Sequence, residues 1–136
     1  MSMTHPPIAA LQSLSKVPGA SLVEGAEYLE LRVTHGTILV VVTVPDEVLE
    51  WFVDASDETC SRKVSDWCDY TGYEDTPLEQ LAVDMAGDVT AFAQSLLSRP
   101  LRFAERSGLF RSKAALEWKV DGVWEQAVPL TAKFAA

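Results

Sequence analysis

The fold of this chain is decided by residues 76–98, which read TPLEQLAVDMAGDVTAFAQSLLS. Apolar residues recur there at spacings of three and four, which places them on one side of an α-helix. The apolar stripe consists of Leu78, Leu81, Ala82, Met85, Val89, Phe92, Ala93 and Leu96, and Glu79, Asp84, Asp88 and Gln94 lie off it. The stretch therefore predicts a long amphipathic helix, residues 77–98, with one face packed against the rest of the protein.

Both ends of this helix carry sequence signals. Thr76 and Glu79 have the spacing of a capping box, in which each side chain bonds a backbone N–H at the helix start. Pro77 suits the first helical position. At the other end, Arg99 complements the negative pole of the helix dipole, and Pro100 prevents continuation.

Before the helix, the apolar period changes to two, which is the period of β-strands. Residues 38–44 are almost wholly apolar, which predicts a strand at the centre of its sheet. A two-residue turn at His35-Gly36 would pair this strand with the one before it, and Leu29, Leu31 and Val33 would then face Val42, Val40 and Ile38. Residues 48–55 and 61–70 are expected to form the next hairpin.

After the helix, residues 101–105 predict a short strand, and Asp121-Gly122 predicts a type I′ turn between strands 115–120 and 123–128. This hairpin would pair Lys119 with Trp124 and send the rings of Trp118 and Trp124 to opposite faces. Two interpretations of Trp124 are open: a cation–π contact with Lys119, or an exposed contact point for a partner.

Together these elements predict a two-layer α+β fold. An antiparallel sheet of five to seven strands would have the 77–98 helix packed on one face. The 136 residues suit a single domain. Residues 1–20 would be a short helix, centred on residues 8–16, or a loosely attached tail.

The charge of the chain is divided by position. The net charge is −9, yet residues 24–88 alone carry −13 and residues 89–136 carry +3. Nucleic acid and acidic membranes are excluded as expected partners, because both are bound through clustered Lys and Arg. A concentrated negative field instead favours a basic protein partner, since it speeds capture of an opposite charge.

Targeting and redox signals favour a cytoplasmic protein. No basic residues precede an apolar run at the start of the chain, and the longest aliphatic run, residues 38–42, is too short to cross a bilayer. Cys60 and Cys68 are then expected to be reduced thiols. They lack a CxxC spacing, and no cofactor or metal motif occurs, so neither a cofactor nor a metal is expected.

Residues 66–75, which read DWCDYTGYED, form the most unusual segment, with four carboxylates and three aromatic rings directly before the helix. One interpretation is structural, with Trp67 and Tyr70 packed on the helix stripe. A second is a recognition surface with aromatic anchors among carboxylates. Oxygen ligands for a divalent metal, or an acid/base pair of Asp66 and Asp69, are further alternatives.

These observations favour a non-enzymatic acidic interaction protein that binds a basic protein partner. The hypothesis that fits best is an immunity protein, or antitoxin, that neutralises a cationic bacterial toxin. Alternatives are a small acidic secretion chaperone and a carboxylate-based hydrolase, with or without a metal, using Asp66, Asp69 or Glu74. The predicted partner-binding residues are Asp54, Asp57, Glu58, Asp66, Trp67, Asp69, Tyr70, Tyr73, Glu74 and Asp75.

One feature opposes this hypothesis. A basic stretch follows the helix, consisting of Arg99, Arg102, Arg106, Arg111 and Lys113. If these cations pair with the acidic half of the same chain, its carboxylates are already neutralised and a partner gains less from them.

Overall fold

The computed structural model describes residues 11–46, 48–59, 62–70, 75–107 and 112–130, and the backbone alone at 106, 107 and 112. Within these residues, five consecutive antiparallel strands form one sheet: β1 (Ala20–Glu24), β2 (Tyr28–His35), β3 (Ile38–Pro45), β4 (Glu50–Asp57) and β5 (Arg62–Asp69). Helix α1 (Leu78–Ser98) follows. A three-stranded antiparallel sheet completes the fold: β6 (Leu101–Ser107), β7 (Ser112–Val120) and β8 (Val123–Val128).

The predicted α+β class is confirmed, with an antiparallel sheet and one long helix. Strand β3 lies at the centre of the five-stranded sheet, as its apolar sequence predicts. The last three strands do not extend that sheet but form a sheet of their own, which the sequence did not distinguish.

The core lies where α1 meets both sheets. Strands β2, β3 and β4 bury every second residue, because successive side chains of a strand point to opposite faces. From the helix, Phe92 is fully buried, with its ring centroid 5.2 Å from that of Trp51 on β4 and 5.3 Å from that of Trp118 on β7. One helical side chain therefore joins the two sheets.

The predicted register of the first hairpin was wrong by two residues. The loop consists of residues 36 and 37, and Leu31 lies opposite Val42 rather than Val40. Gly36 takes φ +58°, which glycine adopts at little cost, so the turn falls one residue later than predicted. His35 consequently stays in the strand, and its Nε2 donates to the Leu96 carbonyl at 2.9 Å. Since the shift is even, the buried face is the predicted one.

The predicted capping box is also absent from the start of α1. The helix begins at Leu78, and Pro77 is the cap residue, with ψ of 144° and no side-chain cap bond. The Pro77 carbonyl accepts the first helical N–H groups, those of Gln80 and Leu81, at 3.0 and 3.1 Å. Thr76 therefore lies one residue before the cap position, and its side chain does not cap the helix. The apolar stripe is buried from Leu81 onward, and Leu78 is exposed.

Strand β1 was not predicted. Only five residues long, it pairs with β2 through a register that places Leu22 opposite Leu31. Residues 11–14 before it are helical, in line with the predicted short helix, and Leu11 is fully buried in the core. Residues 1–10 lie outside the described part of the chain.

The C-terminal hairpin agrees with its prediction. Asp121 and Gly122 both have positive φ, 50° and 81°, as a type I′ turn requires. Lys119 pairs with Trp124, as predicted. The two tryptophan rings differ in exposure, since Trp118 is buried and Trp124 is partly exposed.

We expect Phe92→Ala to lower the free energy of unfolding by about 3 to 5 kcal/mol, because it leaves a cavity between two indole rings. Urea denaturation measures this loss. Val83→Ala on the exposed side of the same helix is the control, with an expected change within about 0.5 kcal/mol. Equal losses in the two variants would show that the helix is not held by the Phe92 contact.

Candidate protein-binding surface

The face of the five-stranded sheet opposite α1 carries an aromatic pair. On β4, Trp51 and Val53 are buried in the core, so the residue between them, Phe52, points to the other face. Phe52 lies directly opposite Trp67 on β5. Their rings are near parallel, at 23°, with centroids 6.4 Å apart, and Trp67 is 52% exposed. Two aromatic rings side by side on an exposed face form a contiguous apolar patch, and such patches are a feature of interaction sites.

Carboxylates lie on both sides of this aromatic pair. Asp54, two residues after Phe52 on the same face, is exposed and accepts a hydrogen bond from the Ser65 hydroxyl at 2.5 Å. On the other side, Glu50 lies opposite Asp69, both partly exposed. We call Glu50, Phe52, Asp54, Trp67 and Asp69 the β4–β5 patch.

Apolar side chains continue this face across β3. Thr43 lies opposite Phe52 and Val41 opposite Asp54, both partly exposed. The described cations of β2 and β5 on this face are Arg32, which pairs with Glu30 at 3.2 Å, and the exposed Lys63. The patch therefore adjoins Val41, and its two rings lie among the carboxylates of Glu50, Asp54 and Asp69.

Asp66 does not belong to this surface. Its Oδ1 accepts the N–H of Trp67 at 2.9 Å, and its Oδ2 accepts the N–H of Leu130 at 2.6 Å. It thus attaches the segment after β8 to β5. Asp66 and Asp69 are three residues apart on one strand and so point to opposite faces, which removes the proposed acid/base pair.

Tyr70 is likewise turned inward, with 4% of its surface exposed. Its hydroxyl donates to Asp88 Oδ2 at 2.6 Å and accepts the Trp51 indole N–H at 3.2 Å. Burial raises the pKa of the Tyr70 hydroxyl, and the hydrogen bond to Asp88 raises it further. The structural interpretation therefore fits Tyr70, which packs against the helix, but not Trp67, which faces away from it.

The remaining predicted residues are spread along the strand ends. Asp57 accepts the Thr59 N–H at 3.0 Å and its hydroxyl at 2.7 Å in the β4–β5 turn. Glu58 is exposed beside it, and Asp75 is exposed just before α1. Tyr73, Glu74 and Cys60 lie outside the described residues, and Cys68 is buried.

Of the predicted site residues, the fold therefore brings Asp54, Trp67 and Asp69 to one face. Two members of the patch, Glu50 and Phe52, were missed. Their signal was their alternation with Trp51 in a predicted strand. The loop length needed to pair Phe52 with Trp67 could not be read from the sequence.

Within the basic stretch, Arg102 makes its contacts inside its own three-stranded sheet. Arg102 Nε lies 2.8 Å from Glu117 Oε1, and its guanidinium carbon lies 4.2 Å from the Trp124 ring centroid. Among the described side chains, one ion pair joins the two halves, and there the acidic half supplies the cation. Arg62 of the acidic half bonds Glu105 of the basic half at 3.1 Å.

Neither a cluster of metal ligands nor a membrane-spanning helix occurs in the described residues. Nowhere in residues 11–46, 48–59, 62–70, 75–107 and 112–130 do three or more His, Cys, Asp or Glu side chains cluster as metal ligands. In those same ranges no helix has the length and apolar character needed to cross a membrane.

Comparison with known proteins returns no match: no family model, no curated protein and no solved structure is similar to this chain.

We expect Tyr70→Phe to lower the free energy of unfolding by about 1 to 3 kcal/mol, because it leaves the buried Trp51 N–H without its acceptor. Urea denaturation measures the change. Tyr28→Phe removes a hydroxyl from an exposed ring and is the control, with an expected change within about 0.5 kcal/mol. A harmless Tyr70→Phe would show that the hydrogen bonds of its hydroxyl contribute little to the stability of the fold.

A pH dependence is expected from Asp88. Burial raises the pKa of its carboxyl above the ordinary value of 3.8, the Tyr70 hydrogen bond opposes this, and nearby Asp84 adds to it. The folded protein therefore holds this proton more tightly than the unfolded chain. Stability from Asp88 should be complete below about pH 3.8 and fall as pH rises through the folded pKa.

Urea denaturation of the native chain and Asp88→Asn between about pH 3 and 7 isolates this contribution. The stability of the native chain relative to the variant should fall with rising pH. A difference that grows with pH would mean that Asp88 is stabilised as the carboxylate.

Proposed function

We propose that this protein is a non-enzymatic interaction protein that binds a basic protein partner through the β4–β5 patch. The observation that supports this most strongly is the exposed Trp67 ring, aligned with Phe52 and set among Glu50, Asp54 and Asp69. An exposed aromatic centre with a charged surround is the composition of a protein-binding hot spot.

The two components of the patch serve different steps of binding. The negative field of a chain with net charge −9 speeds the encounter with a cationic protein and orients it. The aromatic pair and the adjoining Val41 supply apolar area that is buried in the complex, which slows dissociation. Fast capture with slow release is what neutralisation of a toxin demands.

Within this class we propose an immunity protein that neutralises a cationic bacterial toxin. A secretion chaperone would use the same open face differently, holding a client mainly through apolar contacts. Its binding would then depend weakly on salt, whereas capture by the carboxylates depends strongly on salt. Salt dependence therefore separates the two functions.

We expect the triple variant Glu50→Lys, Asp54→Lys, Asp69→Lys to slow association with the partner by about tenfold or more and to flatten its salt dependence. The partner is first captured from the native host at low salt and identified. Association rates are then measured with the purified pair by surface plasmon resonance, between about 50 and 500 mM salt.

The matched control is Glu79→Lys, Asp84→Lys, Glu125→Lys, which changes net charge equally at exposed positions away from the patch. It should slow association far less. If both triple variants slowed association equally, the carboxylates of the patch would contribute no more than any other part of the net charge. Co-expression tests the toxin assignment, since the native chain should restore growth of cells that make the partner, and the patch variant should not.

A further inference from the structure

The three-stranded sheet shows how this chain binds a guanidinium group. Trp124 on β8 lies opposite Lys119, and Glu117 lies two residues earlier on the same strand as Lys119. The Trp124 ring and the Glu117 carboxylate are therefore diagonal neighbours on one face. Arg102 on β6 lies opposite Glu117, and its side chain contacts both groups, with its guanidinium carbon 4.2 Å from the ring centroid and its Nε 2.8 Å from the carboxylate.

The β4–β5 patch repeats this diagonal arrangement. Trp67 on β5 lies opposite Phe52, and Glu50 and Asp54 lie two residues to either side of Phe52 on β4. Each carboxylate is thus diagonal to the Trp67 ring, as Glu117 is to Trp124. Asp69 adds a third carboxylate on the same strand as Trp67, about 7 Å along it.

Among the described side chains, the Trp67 ring differs from the Trp124 ring in having no guanidinium over it. Of the described side chains, those placed over a tryptophan ring as cations are Arg102 and Lys119, both at Trp124. On the face of the patch, Arg32 pairs with Glu30 on β2, and Lys63 is four residues from Trp67 along β5. About half of the Trp67 side chain is exposed.

We propose that the patch binds an arginine side chain of the partner, with the guanidinium over the Trp67 ring and its N–H groups donated to Asp54 or Glu50. This inference rests on the proposed binding of a basic protein and names the group recognised. Arginine suits the patch better than lysine, because a planar guanidinium stacks on an aromatic face and bonds a carboxylate at its edge at the same time. A lysine ammonium is more strongly hydrated and donates from a single point.

The test uses three peptides of one length, a Gly-Arg repeat, a Gly-Lys repeat and a Gly-citrulline repeat, titrated into the full chain at low salt. Citrulline keeps the shape of arginine and lacks its charge. Binding is followed by NMR through the indole N–H signals of the four tryptophans, with Trp67 assigned from Trp67→Leu. We expect the arginine peptide to bind about threefold tighter than the lysine peptide. It should shift the Trp67 signal most, and the citrulline peptide should not bind.

Variants show whether the preference comes from the ring. Trp67→Leu should bind the two charged peptides with equal, weakened affinity, and Trp124→Leu, the matched control, should keep the preference for arginine. Because Trp67 is half exposed, its replacement should leave the fold intact, which the NMR spectrum checks. Should Trp67→Leu not fold, Asp54→Asn with Glu50→Gln is the second test and should reduce the preference for arginine.

The outcomes separate this inference from the function on which it rests. Equal binding of arginine and lysine peptides, without a shift at Trp67, would overturn arginine recognition and leave capture of basic partners standing. Binding of neither charged peptide would count against both. An arginine preference that survives in Trp67→Leu would place the recognition elsewhere on the chain.

Discussion

The ring of Phe92, buried between Trp51 and Trp118, is the contact on which the rest of the structure depends. It joins α1 to both sheets and commits one face of the five-stranded sheet to the core. The opposite face of that sheet is then left to carry Trp67 and its carboxylates. What the protein presents to a partner thus follows from which side of the sheet the helix covers.

Because successive side chains of a strand point to opposite faces, the acidic and aromatic residues of segment 66–70 divide between the core and the outer face of the sheet. Asp66 and Tyr70 turn inward, where they bond the Leu130 N–H and the Trp51–Asp88 pair, while Trp67 turns outward. Neighbours in sequence therefore have different roles: two hold elements together, and one is available for contact. The dense run of acids and aromatics is not itself a site, and the patch forms only when β4 contributes its own outward residues.

In both sheets a tryptophan and a carboxylate are diagonal neighbours on one face. The sheets differ in the side chain that contacts the tryptophan ring. In the three-stranded sheet Arg102 fills the position beside Trp124, so that unit is satisfied within the chain. On the five-stranded sheet Phe52 lies opposite Trp67, as Lys119 lies opposite Trp124, and Glu50 and Asp54 are diagonal to the Trp67 ring. The Arg102–Glu117 pair is satisfied within the chain, whereas Glu50 and Asp54 beside the exposed Trp67 ring form no ion pair among the described side chains.

Local periodicity and composition determined much of this protein. The apolar stripe of α1, the alternation of β2 to β5, the turn at Asp121-Gly122 and the acidic first half were all set by neighbours along the chain, and so could be predicted. The exposed residue Trp67 was included in the predicted site on the same grounds. The missing cap at Thr76 shows the limit of such signals, because one backbone angle at Pro77 removed it.

Contacts between distant residues decided the remainder. The split into two sheets, the pairing of Phe52 with Trp67 and the inward turn of Tyr70 depend on loop lengths, on register and on where α1 packs. These are settled by the total burial of the folded chain rather than by any short segment, since a one-residue change of register exchanges the two faces of a strand. The sequence therefore supplied the acids and the rings, and only the tertiary structure chose which of them share a surface.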